Sequence, residues 1–212
     1  MLELIKSGEP FLFANMLVLL VGIALSAQRF HSLWIKYGGS VDAMLRQVLG
    51  LVESGSYAKA IQVCGTKDHP LNAIFKAALT RANRSEREIR RAVEAAAVDE
   101  IPKVRKGTAY MPQLSNMATL LGLIGTIRGL IESFSGMEGG DAATRQAALS
   151  KGISIAFYNT YFGLVVAVVI IAAYMLILGR QNKVIAQMEL GSAKLVDTLL
   201  LRQALNHDDK AA

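Results

Sequence analysis

The sequence predicts an all-α integral membrane protein in which three transmembrane helices extend into a helical cytoplasmic domain. Of its 212 residues, 52% are apolar and only 19% are charged, shares that are high and low, respectively, for a water-soluble domain. The charges are also segregated, so that three long stretches contain none. No stretch of any length alternates apolar and polar residues as a half-buried strand would.

The three charge-free stretches have the length of membrane-spanning helices. They are residues 11–27, 107–127 and 152–179, which hold 17, 21 and 28 residues. A bilayer core of about 30 Å needs roughly 20 apolar residues as helix, so the second and third suffice. The first can extend to Phe30 if Arg29 snorkels. A cleaved signal peptide is the alternative for the first stretch, but the residues before it are net negative, where a signal needs positive charge.

The placement of lysine and arginine predicts the orientation in the membrane. Residues 29–106 contain fourteen Lys/Arg and eight Asp/Glu, whereas residues 128–151 contain three of each. The positive-inside rule therefore predicts an N-terminus on the outer side of the membrane and a cytoplasmic C-terminus. The chain then divides into four segments. Residues 1–35 form an N-terminal segment with the first transmembrane helix, and residues 36–106 form a cytoplasmic helical domain. Residues 107–179 hold the other two transmembrane helices with a short periplasmic loop, and residues 180–212 form a cytoplasmic C-terminal helix and tail.

Local signals divide the cytoplasmic segment into several helices. Gly55 and the stretch 65–70 indicate turns. Ser85 and Glu88 have the spacing of a capping box, which predicts a helix that starts at this point. Pro102 is expected to bend or interrupt that helix before the second transmembrane helix. The net charge of +6 is explained by membrane topology, so no nucleic acid is expected as a partner.

Two further segments flank the third transmembrane helix. Residues 136–141 are glycine-rich and predict a flexible turn on the far side. After residue 180 an apolar period continues and predicts an amphipathic helix in the cytoplasm. The positions that define this period are Val184, Met188, Leu195 and Leu199.

The sequence shows no signature of an enzyme, a cofactor or a metal site. It lacks a phosphate-binding loop, metal-ligand spacing and a plausible Ser/His/Asp constellation. The only cysteine, Cys64, is interpreted as a plain buried or half-exposed thiol. None of the three charge-free stretches contains Asp, Glu, Lys or His. Proton carriers normally have such a residue in the bilayer, so this chain cannot supply the carrier group itself.

Small and hydroxylated residues line one face of each of the last two transmembrane helices. In the second helix they are spaced by four, three, four and three residues, at Ser115, Thr119, Gly122, Thr126 and Gly129. In the third helix the face holds Ala156, Thr160, Gly163 and Ala167, and the polar Asn159 lies beside it. Such stripes have two interpretations: close helix packing with hydroxyl hydrogen bonds, or the lining of a pore that receives another protein's helix.

Two motifs that contain these stripes resemble the MotA/TolQ/ExbB proton channel family. Residues 118–131, ATLLGLIGTIRGLI, are similar to the family's second-helix signature GL.GTV.G, which follows a proline matched approximately by Pro112. Residues 152–164, GISIAFYNTYFGL, are similar to the family pattern GI..AL..T..GL. The likeness extends over nearly the whole chain, because the order of helices and the basic insert also correspond.

The resemblance implies a subunit of a motor in the bacterial inner membrane, driven by the proton-motive force. In that family a homo-pentamer surrounds a dimer of a single-span ExbD/TolR/MotB-like partner, which brings an aspartate into the bilayer. The family's paired threonines match Thr126 and Thr160. The expected proton pathway or pore lining comprises Thr126, Thr160, Ser115, Thr119, Gly122, Gly129, Asn159 and Gly163. The alternative is a non-conducting structural scaffold whose stripes only pack helices.

Two positions depart from the family pattern. Ile155 stands where ExbB-like members have a glutamate, which argues against direct proton transfer by this chain and against the ExbB and TolQ branches. Arg128 stands where the family has an apolar residue. It lies roughly opposite the Thr126 stripe on a helical wheel and one turn before Glu132, so it is interpreted as an ion-paired marker of the outer membrane boundary.

Overall fold

A computed structural model describes residues 10–38, 41–65, 69–136 and 141–211, with side chains up to residue 205. The described residues contain helices and turns and no strand, which confirms the all-α prediction. The helices are α1 (Pro10–Phe30), α2 (Val41–Glu53), α3 (Tyr57–Cys64), α4 (Pro70–Leu79), α5 (Glu86–Arg105), α6 (Tyr110–Ser135) and α7 (Ala142–Ala211). A π-helical turn, His31–Lys36, follows α1.

Three helical segments are long and apolar enough to cross a membrane, as predicted. They contain α1, α6 and α7, and their most apolar 18-residue windows have mean hydropathies of 2.1, 1.4 and 2.8. The helices differ in extent from the charge-free stretches: α6 begins at Tyr110 rather than residue 107, and α7 begins at Ala142, ten residues before Gly152. Helix formation requires backbone hydrogen bonds, whereas absence of charge marks only the part suited to lipid.

The chain divides into two compact units. The apolar unit consists of the described residues 10–29 and 107–177, and the charged unit consists of residues 30–106 and 178–211. In the apolar unit α6 runs antiparallel to both α1 and α7. Gly129 lies against Ala156, and Ser115 near the other end of α6 lies against Ala167. Gly22 of α1 faces Ile170 of α7.

One end of the apolar unit is closed by a buried arginine. Arg29 is only 6% exposed, and its Nε donates to Thr108 Oγ1 at 3.2 Å. Gly107 has a φ of +88°, and a Cβ there would lie 3.3 Å from the Arg29 side chain. The expected snorkelling of Arg29 is therefore wrong, because protein atoms cover it. Pro102 does not interrupt its helix: it lies inside α5, which runs on to Arg105, and the break comes at residues 106–109. A bend at Pro102 stays a prediction.

The charged unit has its own apolar core. Leu71, Ile74 and Phe75 of α4 are at most 1% exposed, and α4 packs against α5. A Cβ on Gly191 of α7 would lie 3.2 Å from Leu71, which places α7 in the same core. The predicted apolar period of the C-terminal helix is confirmed, because each of its four positions is buried. They are Val184, Met188, Leu195 and Leu199.

The turns of the charged unit largely follow the sequence signals. Gly55 separates α2 from α3 with a φ of +72°, which an L side chain rarely adopts. His69 precedes α4, and its Nδ1 accepts from the Leu71 backbone N–H at 3.2 Å. Ser85 precedes α5 as predicted, but its side chain makes no capping hydrogen bond. Of the predicted turns, residues 66–68 and 137–140 lie outside the described residues.

Aromatic residues follow the first transmembrane helix. The rings of Phe30 and Trp34 stack with centroids 4.5 Å apart. The Arg180 guanidinium lies 5.8 Å from the Trp34 ring centroid, and its Nε donates to the Leu33 carbonyl oxygen at 3.3 Å. Aromatic rings beside the end of a transmembrane helix are typical of the membrane–water boundary.

Candidate functional site

The small residues of α6 and α7 bring the two backbones into direct contact. A Cβ on Gly122 would lie 3.1 Å from the Asn159 carbonyl oxygen and 3.3 Å from the Gly163 Cα. A Cβ on Gly163 would lie only 2.7 Å from the Ala118 carbonyl oxygen. These neighbours are backbone atoms that cannot move aside. Only glycine therefore permits this approach, which is how small residues act in membrane helices.

Thr126 and Thr160 meet at the edge of this contact. Their hydroxyls touch each other, and both lie 3.1 Å from the carbonyl oxygen of Gly122. The Thr126 hydroxyl is also 3.3 Å from the Ala156 carbonyl oxygen. Both threonines are half-buried, so part of each residue is at the surface of the chain. The pairing of the two family-matched threonines is the main feature of the site.

The two hydroxyls can accept more hydrogen bonds than they can donate. Each hydroxyl carries one hydrogen and two lone pairs. Once both hydrogens are donated to backbone carbonyls or to each other, the oxygens retain lone pairs that can accept from a water molecule or a protonated carboxyl group. To donate to a carboxylate, one hydroxyl must rotate away from a carbonyl. The pair can therefore respond to either protonation state of a nearby acid without titrating itself.

Five of the eight residues in the predicted pathway are buried within this chain. Ser115 is 8% exposed, and its Oγ donates to the Ala167 carbonyl oxygen at 3.0 Å. Asn159 is 2% exposed, and its Nδ2 donates to the Gly125 carbonyl oxygen at 3.5 Å. The other three are Gly122, Gly129 and Gly163.

These five residues thus pack α6 against α7. Their atoms are largely covered by the same chain. This burial agrees with the packing interpretation of the stripe rather than the pore interpretation. Thr119, whose hydroxyl donates to the Ser115 carbonyl oxygen at 3.3 Å, is half-buried like Thr126 and Thr160. Pore lining stays a prediction for all eight residues, and these three threonines are the ones that keep more surface in the single chain.

Two buried residues at this contact were not singled out from the sequence. Gly125 lies under the side chain of Asn159, and a Cβ there would be 2.8 Å from the Asn159 Cβ. Asn15 of α1 is 1% exposed, and its Nδ2 lies 3.3 Å from the Cβ position of Gly163. The side-chain oxygens of Asn15 and Asn159 have no hydrogen-bond partner among the described residues. A lone amide within a charge-free stretch was the available signal for Asn15.

The pair of charges predicted at the far end of α6 is present. Arg128 Nε and Glu132 Oε1 are 2.7 Å apart, and both side chains are nearly half exposed. The Arg128 guanidinium also lies 5.9 Å from the centroid of the Phe11 ring on α1. An exposed i,i+4 pair contributes only a few tenths of a kcal/mol, so its value here is to mark the end of the apolar surface.

The cysteine of the chain lies in the charged unit. Burial raises the pKa of the Cys64 thiol to about 11, so the thiol is neutral at physiological pH and a poor nucleophile. Within the described ranges no group of three or more His, Cys, Asp or Glu could hold a metal ion. With the thiol and a metal site set aside, the half-buried threonine pair is the candidate functional site.

Comparison with known proteins gives one family. The family model described as "MotA/TolQ/ExbB proton channel family" matches residues 66–190. An ExbB homolog of Methanothermobacter thermautotrophicus, named as a biopolymer transport protein, is 27% identical over 189 residues, which cover 89% of this chain and 67% of that protein. A Synechocystis protein named ExbB-like 3 is 31% identical over 150 residues, which cover 70% and 71%.

A third relative adds to this pattern. Biopolymer transport protein ExbB of Pseudomonas putida is 26% identical over 203 residues, which cover 90% of this chain and 61% of that protein. All three relatives carry ExbB names. The indication against an ExbB-like branch, drawn from Ile155, therefore finds no support in them.

Proposed function

Since this chain belongs to the MotA/TolQ/ExbB proton channel family, we propose that it is a stator-like subunit of an inner-membrane motor driven by the proton-motive force. Its relatives are named as biopolymer transport proteins, which favours work delivered to the transport of a substrate. Outer-membrane transport is one such process, and envelope maintenance and gliding motility are others that the same motor could drive.

The proposed assembly is a homo-oligomeric, pentameric ring around a dimer of a single-span ExbD/TolR/MotB-like partner. Large apolar residues on α6 and α7 remain exposed in the single chain, for example Ile127 at 52% and Phe157 at 68%. In a bilayer such surfaces contact lipid or neighbouring subunits. We propose that part of this surface forms contacts between copies, and that the edge with the threonines faces the central partner.

The observation that carries the proposal is the half-buried pair of Thr126 and Thr160 in a unit whose three charge-free stretches contain no acidic residue. A charged carboxylate in the bilayer is costly unless it gains partners. The proposed role of the pair is to accept a hydrogen bond from the partner's protonated aspartate and to donate one to its ionised form. The partner's aspartate carries the proton, and the threonines stabilise both of its states.

The proposed orientation follows the Lys/Arg excess in residues 29–106. It places the N-terminus in the periplasm, and the charged unit and the C-terminus in the cytoplasm of a bacterial cell. In this orientation the Arg128–Glu132 pair is at the periplasmic boundary, and the Arg29–Thr108 contact is at the cytoplasmic one.

Purification of the tagged protein from native membranes in mild detergent tests the proposal. Native mass spectrometry should give a ring of identical subunits with a smaller protein bound, and peptide sequencing should identify a single-span protein with an aspartate in its span. Reconstituted in liposomes, this complex should conduct protons, as read by a trapped pH-sensitive dye. A homo-oligomer without such a partner and without proton flux would favour the non-conducting scaffold, which the packing role of the glycines also fits.

A further inference from the structure

An apolar groove lies within the charged unit, between α5 and α7. Its volume is about 260 Å³, and the buried Ile74 of α4 also lines it. Val93, Ala97 and Ile101 of α5 form one wall and are only half-buried. Removing such apolar surface from water is favourable, so the groove is suited to an apolar side chain.

The charged residues of this groove are mainly acidic. Glu94 of α5 and Glu189 of α7 line it, and neither is in a salt bridge among the described residues. Arg90 is the one cation in the described wall, and its Nε is 2.7 Å from Glu86 Oε1. The groove therefore combines an apolar lining with two carboxylates, a pattern that an apolar residue beside a lysine would complement.

Another side of α7 carries this complementary pattern. Four exposed residues there are spaced by seven, four and seven positions, which places them in one stripe: Lys183, Leu190, Lys194 and Leu201. Leu190 and Leu201 are 57% and 67% exposed. The stripe lies about 150° around the helix from the α7 residues that line the groove. One chain therefore cannot place its own stripe in its own groove, whereas a second copy can supply the stripe.

The depths of the two surfaces match between copies. Identical subunits that form a closed ring in one membrane are related by rotation about the membrane normal, so equivalent residues share one depth. Leu190 and Lys194 fall within residues 188–196, the part of α7 that lines the groove, and are therefore level with a neighbour's groove. Because groove and stripe are different surfaces, their contact is heterologous and can close into a ring.

We propose that the groove of one copy receives Leu190 and Lys194 of the neighbouring copy. Leu190 fills the apolar part of the groove, and Lys194 lies beside Glu94 and Glu189. The inference rests on the proposed assembly of identical subunits, and it adds a contact between their charged units, outside the transmembrane helices.

Disulfide formation between two separately tagged chains tests this contact. One chain carries Ala97→Cys in the groove and the other carries Leu190→Cys, with Cys64→Ala in both to remove the native thiol. The matched control uses Val98→Cys instead of Ala97→Cys, because Val98 is the next residue along α5, is exposed and does not line the groove. A disulfide needs Cα atoms within about 7 Å, so after mild oxidation of isolated membranes the Ala97 pair should give at least about tenfold more doubly tagged dimer than the control.

Charge reversal tests the recognition without disturbing the core. Lys194→Glu in the Leu190→Cys chain removes an attraction and adds a repulsion, which should lower the dimer yield about fivefold. Glu94→Lys in the Ala97→Cys chain should restore the yield, because the two opposite charges are then exchanged. Both positions are exposed, so the folded chain should tolerate the changes. Failure of this rescue would exclude the pairing of Lys194 with the groove.

Three further results would overturn the proposal. Absence of cross-linking in a ring that native mass spectrometry shows to be intact would assign the contacts between copies to other surfaces and leave the proposed function standing. Equal cross-linking of the Ala97 and Val98 pairs would show random encounters instead of a defined contact. A chain that is monomeric in native mass spectrometry would refute this contact together with the proposed motor.

Discussion

Replacing Thr160 by valine separates the chemical role of the hydroxyl from its packing role. Valine keeps the branched shape and removes the oxygen. The fold should tolerate the change, because the Gly122 carbonyl oxygen retains the Thr126 hydroxyl as a donor 3.1 Å away. No acceptor is left unpaired, so the loss should be that of one hydrogen bond, about 1 kcal/mol.

The effect on proton transfer should be larger. A hydrogen bond to a charged group contributes about 1.5–3 kcal/mol, and about 1.36 kcal/mol corresponds to one pKa unit. In the proposed motor, loss of the hydroxyl should therefore shift the pKa of the partner's aspartate by one or two units. Since each cycle requires the aspartate to gain and lose a proton, such a shift should abolish or sharply reduce proton flux.

Proton flux into liposomes that contain the assembled complex is the assay. Thr160→Ser keeps the hydroxyl and should retain much of the flux. Ser154→Ala removes a hydroxyl from an exposed position nearer the start of α7 and should have little effect. Wild-type flux from an assembled Thr160→Val complex would show that the hydroxyl only packs, and the assignment of the proton pathway would be wrong.

Three further predictions follow from the structure. Gly122→Leu should destabilise the folded chain by about 1–3 kcal/mol, because the neighbours of Gly122 are backbone atoms. Gly179 has nothing within 4 Å of its Cβ position, so Gly179→Leu should not destabilise the chain. Thermal unfolding in detergent compares the two variants. Arg84→Cys should resist a membrane-impermeant maleimide in intact cells, with little background from Cys64, whose pKa burial raises to about 11; rapid labelling would reverse the orientation. Burial lowers the pKa of His69 in the folded state, so protonation favours unfolding and the stability should fall as the pH drops below about 6.5. His69→Asn keeps an acceptor for the Leu71 backbone N–H and should make the stability less dependent on pH. Unfolding curves at pH 5–8 measure this difference.

The helices could be predicted from the sequence because their signals are local. Absence of charge over about 20 residues identifies a transmembrane helix wherever it lies in the chain. The period through Val184, Met188 and Leu195 likewise required only the sequence of that one helix. Proline is a local signal for a break at residue 102, whereas α5 runs on to Arg105 and the break before α6 comes at residues 106–109. Gly107 has a positive φ and lies against Arg29, a contact between distant residues that no local pattern reports.

The site was harder to predict because a stripe of small residues does not say which helix it meets. The same spacing of Ser115, Gly122 and Gly129 fits a partner's helix or a neighbouring helix of the same chain, and the structure has the latter. The family likeness identifies the two threonines, but their direct contact joins two different helices and is seen only in the structure. Asn15 is a single amide in an apolar helix and forms no repeating pattern, so the sequence does not indicate that it belongs to this contact.

The close contact of α6 and α7 also restricts how this protein can move. Sliding one helix past the other by even part of a turn would drive backbone against backbone at Gly122 and Gly163, since no flexible side chains lie between them to readjust. The two helices should therefore behave as one rigid piece. A change of shape during the proposed working cycle should therefore arise outside this pair of helices. Disulfide cross-linking of α6 to α7 should accordingly leave such a cycle intact.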